Sequence, residues 1–172
     1  MNNIKVIDDF LPQEDADRIE QLFTGHEIPY YFYPSISYED NSDCFQFVHS
    51  LYMPNQGAVS KYVEAVNPIL QRLGAEITIR IKANLNPRTH DHIQLGGFHC
   101  DFAYLGMTTA IYYPNTNNGY TMFETGKKVQ SVKNRLVKFP VNIEHVGFSC
   151  TDQQVRSVIN FNYMKSGVYG TV

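Results

Sequence analysis

Residues 75–86, AEITIRIKANLN, alternate apolar and polar side chains without a break. Ile77, Ile79, Ile81, Ala83 and Leu85 fall on one face of a strand, and Thr78, Arg80, Lys82, Asn84 and Asn86 on the other. The period stays at two from here on. Further strands are predicted near 97–102, 107–113, 120–124, 128–132, 135–139, 143–147 and 155–163. Turn chemistry separates several of them, notably PNTNNGY at 114–120 and the turn at Gly126.

Upstream the pattern is mixed. IKVIDDF at 4–10 reads as a short strand, and Pro12 opens a helix over 13–24. Glu14, Asp15 and Asp17 fill its first turn, where the helix dipole favours them, and Ala16, Ile19, Leu22 and Phe23 give it one apolar face. Residues 28–52 are aromatic and broken by SYEDNSD, which predicts two strands around a loop. The spacing of Val59, Tyr62, Val63, Val66, Ile69, Leu70 and Leu73 predicts a second helix over 57–73, with Pro68 as a kink or break and Gly74 at its end. Helices followed by many short strands indicate a mainly β fold, a double sheet with N-terminal helices packed on one sheet. The expected organisation is one domain over 1–172, with 1–75 as helical support and 76–163 as the β core.

A chain of 172 residues is long enough to bury a full core, and its net charge of -3 gives no basic excess for a nucleic-acid partner. It has no apolar run long enough to span a bilayer, and MNNIKVIDDFLPQEDAD lacks the order of a signal peptide, so a cytoplasmic location is expected. Cys44, Cys100 and Cys150 match neither a disulfide framework nor a zinc ribbon, and Cys100 reads as a packing residue. The 12 Tyr and 11 Phe, with no Trp, concentrate in strand-like segments and suit a sheet-built interior.

The chemistry lies in four spaced residues. His99 and Asp101 in GGFHCDFAY are two apart, so a strand would present both on one face to share one ion. His145 in FPVNIEHVGF is a candidate third ligand from another strand. Two imidazoles and one carboxylate form the set that non-haem iron(II) sites use when positions must stay open. Arg156 in VRSVINFNY shares its face with Val158, Asn160 and Asn162 and has no acidic residue nearby in sequence. Burying it demands a carboxylate partner, which a bound dicarboxylate would supply as a bidentate pair. Tyr113 in TTAIYYPN faces the same way as Thr109 and Ile111 and is a candidate to join that carboxylate. Arg80, Lys82 and Asn84 form a polar strand face, either solvated or lining a pocket mouth for a polar or anionic substrate. His90 and His92 compete for metal by spacing, but they follow Pro87 in a loop.

Taken together, GGFHCDFAYLGMTTAIYYPNTNNGYTMFETG, NRLVKFPVNIEHVGF and RSVINFNY resemble the 2-oxoglutarate- and iron(II)-dependent dioxygenases, and within them the prolyl-4-hydroxylase-like group. The resemblance covers about residues 76–163, and IDDFLPQEDADRIEQLF also has the look of that group. It implies a double-stranded β-helix, or jelly roll. It implies Fe(II) held by His99, Asp101 and His145, with 2-oxoglutarate and O2 as co-substrates. It implies that Arg156 grips the far carboxylate of 2-oxoglutarate, supported by Tyr113, with Asn160 facing the pocket. The implied reaction hydroxylates a C–H bond of a peptidyl, including prolyl, or small-molecule substrate, as 2-oxoglutarate is converted to succinate and CO2. One departure is Asn84-Leu85-Asn86, where relatives often carry a tyrosine. The alternatives are a non-catalytic jelly-roll binding protein that retains the scaffold, and a cupin-like metalloenzyme in which Arg156 has no role.

Overall fold

The computed structural model describes residues 4–35, 44–103 and 106–165. In chain order the elements are β1 Lys5–Ile7, α1 Gln13–Thr24, β2 Tyr31–Tyr33, β3 Gln46–Met53, β4 Gly57–Ala58, a 3-10 helix Lys61–Val66 and α2 Asn67–Leu73. They continue with β5 Ile77–Pro87, β6 Gln94–His99, β7 Thr108–Tyr113, β8 Tyr120–Phe123, β9 Lys128–Gln130, β10 Arg135–Pro140, β11 His145–Phe148 and β12 Val155–Met164. The larger sheet runs β1-β10-β7-β12-β5-β3-β2, with β4 paired to β3, and the smaller runs β6-β11-β8-β9. All pairings are antiparallel. Two facing antiparallel sheets with non-sequential strand order make the jelly roll that the period-two pattern anticipates.

The alternation in β5 and β12 sorts their side chains between two interiors. Ile81, Ala83, Ile159, Phe161 and Tyr163 face the helices and form one core with Ile19, Phe23, Val66, Ile69 and Leu73. Burying each of these large apolar side chains contributes about 2 kcal/mol. Ile111, Tyr113, Phe123, Val137, Phe139 and Val158 fill a second core between the sheets. The start of α1 is pinned to the large sheet by Asn134. Its amide exchanges hydrogen bonds of 2.8 Å with Leu11 in both directions, and Tyr112 donates to the same Oδ1 at 3.2 Å.

Two expectations change. The stripe over 57–73 is not one helix: Gly57–Ala58 pairs with β3, a Ser60-capped 3-10 turn follows, and Pro68 sits in the first turn of α2. Pro68 lacks the N–H that a continuous helix would need there, so the helix restarts at the proline. Residues 1–75 are also more than helical support, because β1 to β4 belong to the large sheet. Of the aromatic strands expected over 28–52, Tyr31–Tyr33 and Gln46–Met53 form, while SYEDNSD lies outside the described residues. No described helix is long and apolar enough to cross a membrane.

Candidate metal and co-substrate site

A cavity opens between the two sheets, with about 540 Å³ of empty space, part of it open to solvent. The large sheet contributes Lys82, Asn84, Asn86, Arg156 and Asn160, and the small sheet His99, Thr121 and His145. The polar face of β5 is therefore an interior wall and not a solvated surface. Ladder register sets the order of side chains along this wall. Arg80 lies beside Asn162, Lys82 beside Asn160, Asn84 beside Val158, and Asn86 beside Arg156.

At one end, ligand atoms of His99, Asp101 and His145 all lie within 4.8 Å of one another. His99 and His145 are direct partners in the β6–β11 ladder, with ring centroids 4.9 Å apart. Their Nδ1 atoms point at backbone carbonyls, His99 to Gly97 at 3.0 Å and His145 to Ile143 at 3.3 Å. That leaves both Nε2 atoms free for an ion, with the other ring nitrogen oriented by the main chain. Asp101 arrives differently from the strand-face expectation. β6 ends at His99, and Asp101 sits in the turn beyond it. Its position is fixed by partners instead of by pleat: Arg80 donates to Oδ1 at 2.5 Å, while Asn162 at 3.0 Å and Thr109 at 3.2 Å donate to Oδ2.

The electrostatics favour ligand protonation states. Burial pushes the Asp101 carboxyl up, but Arg80, His145, Asn162 and His99 together outweigh it and hold it well below its ordinary 3.8. Burial lowers His145, against the pull of Asp101, so the imidazole is neutral at pH 7. An ionised carboxylate and neutral imidazole are what metal binding requires. Cys100 is half-buried, and burial with the nearby acids Glu144, Asp101 and Glu124 raises its thiol, so it stays protonated.

At the other end, Arg156 is only 3% exposed. Its Nε donates to Ser131 Oγ at 3.1 Å and its Nη2 to Thr121 Oγ1 at 3.2 Å. Its guanidinium forms no salt bridge among the described residues. Burial lowers its pKa from 12.5, yet an arginine remains charged, so a buried cation faces the cavity with two hydroxyls and the Tyr113 ring, 5.9 Å away, for company. Glycines make the room. An added Cβ at Gly119 would lie 2.7 Å from Arg156 Cδ, and one at Gly147 would lie 3.4 Å from its Nη1.

The structure redistributes several sequence-based roles. Tyr113 is fully buried, its ring lies 5.9 Å from the Arg156 guanidinium, and it donates to Thr121 Oγ1 at 2.8 Å, the hydroxyl that also receives Arg156. Asn160 and Asn84 do face the cavity, each 8% exposed, and each Oδ1 has no partner. Arg80 is not available to a substrate: besides Asp101 it donates from Nε to Asn162 at 3.0 Å and covers the Phe102 ring at 4.8 Å. Lys82 remains on the cavity wall. His90 is exposed beside Asp91, and His92 bonds the Ser149 carbonyl at 2.7 Å, so neither joins the metal set. Thr109, Thr121 and Ser131 escaped the sequence reading because a strand threonine or serine carries no signal of its partner. Asn162 was legible as a member of the Arg156 face.

The donor set fits a divalent iron. Three donors converge from one side, two imidazoles and a carboxylate. Arg156 fits a carboxylate co-substrate because its charge is otherwise unmatched.

No family model matches the sequence, and no curated protein matches it. The fold, however, is that of the 2-oxoglutarate- and Fe(II)-dependent oxygenases, prolyl hydroxylases among them. An oxidoreductase of that family from Burkholderia pseudomallei superposes with a TM-score of 0.67 at 12% identity, covering 93% of this chain and 84% of that one. A Trichoplax adhaerens prolyl hydroxylase in complex with a hypoxia-inducible-factor peptide gives 0.62 at 13% identity, covering 96% and 84%. The α-ketoglutarate-dependent epimerase SnoN of nogalamycin biosynthesis gives 0.61 at 9%, covering 98% and 83%.

Proposed function

We propose that this protein is an Fe(II)- and 2-oxoglutarate-dependent oxygenase that hydroxylates a C–H bond of a peptidyl or small-molecule substrate. The observation that carries the reading is Arg156, a buried guanidinium without a carboxylate partner among the described residues, in the same cavity as a His-Asp-His set. A scaffold kept only for binding has no need of that unmatched charge, which is costly to bury.

In this reading His99, Asp101 and His145 hold the metal from one side. Arg80, Asn162 and Thr109 keep the Asp101 carboxylate ionised and oriented. The Arg156 fork takes the far carboxylate of 2-oxoglutarate, with Ser131 and Thr121 aiming it and Tyr113 bracing Thr121. Leu95, Ile111 and Val158 supply the apolar part of the wall and limit water around the reacting centre. When bound, iron and 2-oxoglutarate supply the oxidising chemistry, with O2 as oxidant and succinate and CO2 released. The neighbours, one in complex with a peptide and one from nogalamycin biosynthesis, support keeping both substrate classes on this fold.

The test is anaerobic addition of Fe(II) and 2-oxoglutarate, followed by visible absorption. A metal-to-ligand charge-transfer band is expected, and it should need Arg156 at low co-substrate concentration. A folded protein that shows no band overturns the proposal.

A further inference from the structure

We propose that this chain pairs with a second copy of itself through β2, in a two-fold dimer that sets Phe32 against the partner's Phe32 and joins the two large sheets edge to edge.

Residues 29–34 read PYYFYP, four aromatic side chains between two prolines with no charge among them. The last three aromatics form β2, which pairs with β3 on one side and ends the large sheet among the described residues. A sheet edge offers unpaired N–H and C=O groups, and natural sheets commonly guard it with charge. The opposite edge is guarded in that way: β1 carries Lys5, whose ladder partner is Lys138. β2 carries no such guard.

Exposure and register define what fits there. Tyr31, Phe32, Tyr33 and Phe45 are each between 44% and 65% exposed. Tyr31 and Tyr33 pair with Val48 and Gln46, and Gln46 lines the cavity, so both tyrosines stand on the cavity side of the sheet. Phe32 pairs with Phe47 on the other side, where Phe45 completes a triangle of rings with centroids 5.6 to 6.1 Å apart. A two-fold axis normal to the sheet at Phe32 keeps each face on its own side. It joins the two phenylalanine triangles and sets Tyr31 against the partner's Tyr33, and aromatic cross-strand pairs are favourable. The main chain closes in either phase of the ladder: Phe32 exchanges two hydrogen bonds with its copy, or Tyr31 and Tyr33 exchange four.

The area favours a second copy at the weak end of specific association. The four side chains leave roughly 450 Å² of aromatic surface open on each protomer, or about 900 Å² for the pair. Pro29 and Pro34, both exposed, bring the contact to the roughly 1,000 Å² that a specific interface needs. A two-fold uses both copies of the unguarded edge, so the assembly closes at two chains.

Sedimentation velocity of the full chain, from low micromolar to several hundred micromolar, reads the association. The sedimentation coefficient should rise from monomer to dimer across that range. Phe32→Lys and Phe32→Glu each place like charges across the two-fold, so each alone should associate about tenfold more weakly or worse, with an unchanged circular-dichroism melt. An equal mixture of the two variants should dimerise again, because opposite charges then meet at the same position. Val6→Glu, on the β1 edge, should leave association unchanged. A monomer at every concentration, a dimer that survives both charges at Phe32, a mixture that stays monomeric, or a dimer lost in Val6→Glu overturns the proposal.

Discussion

The Arg80 guanidinium donates to the Asp101 carboxylate across 2.5 Å, from the middle of β5 to the turn beyond β6. The contact turns a residue that looks like a substrate contact into the anchor of a candidate metal ligand. Asp101 is 4% exposed and Arg80 19%, so the pair is mostly sheltered from solvent.

Replacing Arg80 with Ala should therefore cost about 3 kcal/mol, the low edge for breaking a buried pair, since Arg80 keeps some exposure. Urea melts of the metal-free protein measure it. The pH dependence has a definite sign. Asp101 is held below its ordinary 3.8 in the fold, so its contribution is present above that pH and fades as acid protonates it. The gap between wild type and Arg80→Ala should be flat from neutral pH down toward 4 and narrow below it. A gap that widens in acid contradicts the pairing.

Thr121 accepts from both Tyr113 and Arg156. Thr121→Val keeps the shape and strands two buried donors, so stability should fall by about 2 kcal/mol. The 2-oxoglutarate affinity should fall with it, as read from the charge-transfer titration. Tyr113→Phe should weaken binding less, because it leaves Thr121 free to receive Arg156.

Gly119→Ala places a methyl group against Arg156 Cδ at 2.7 Å and the Phe148 carbonyl at 2.9 Å. The backbone atom cannot yield easily, so overpacking should cost about 1–3 kcal/mol and displace Arg156. The variant should retain Fe(II) binding and lose 2-oxoglutarate affinity. Isothermal titration with each ligand separates the two.

Lys82 gives a prediction of opposite sign. Burial, then repulsion from Arg80, lowers its pKa from 10.5 to about 8, partly offset by Asp101. Between those two values the unfolded chain holds the proton and the folded chain does not, so stability rises with pH across that window. Below it the buried charge is a constant cost. Lys82→Met should therefore stabilise the unliganded protein at pH 7 by about 1 kcal/mol or more. The advantage should disappear as pH approaches 10.5. Thermal melts at a series of pH values check this.

The period-two pattern was enough to put Arg80, Lys82 and Asn84 on one face of β5, and Arg156 and Asn160 on one face of β12, because a strand has only two faces; that the β5 face looks inward comes from the sheet that covers it. The pattern misled over Asp101, whose convergence depends on a turn held by distant side chains, and turns carry no periodicity. It misled over Arg80 for a related reason. Which cation meets which carboxylate depends on sheet order, and β5 pairs with β12, a strand far along the chain, in a way that no local pattern describes. The helix over 57–73 failed because an apolar stripe survives a 3-10 segment, while Pro68 already marked the restart.

The position of β12 has a consequence for how this molecule comes into being. It is the last described strand in the chain, yet it lies between β7 and β5 in the middle of the large sheet. While the protein is being synthesised, those two neighbours wait with open edges, exposed to pairing with other chains. Asn162, one of the groups holding Asp101, and Arg156 both arrive on that strand. The Asp101 cluster and the buried guanidinium therefore form in the same late event, so a nascent chain cannot complete either one ahead of its fold.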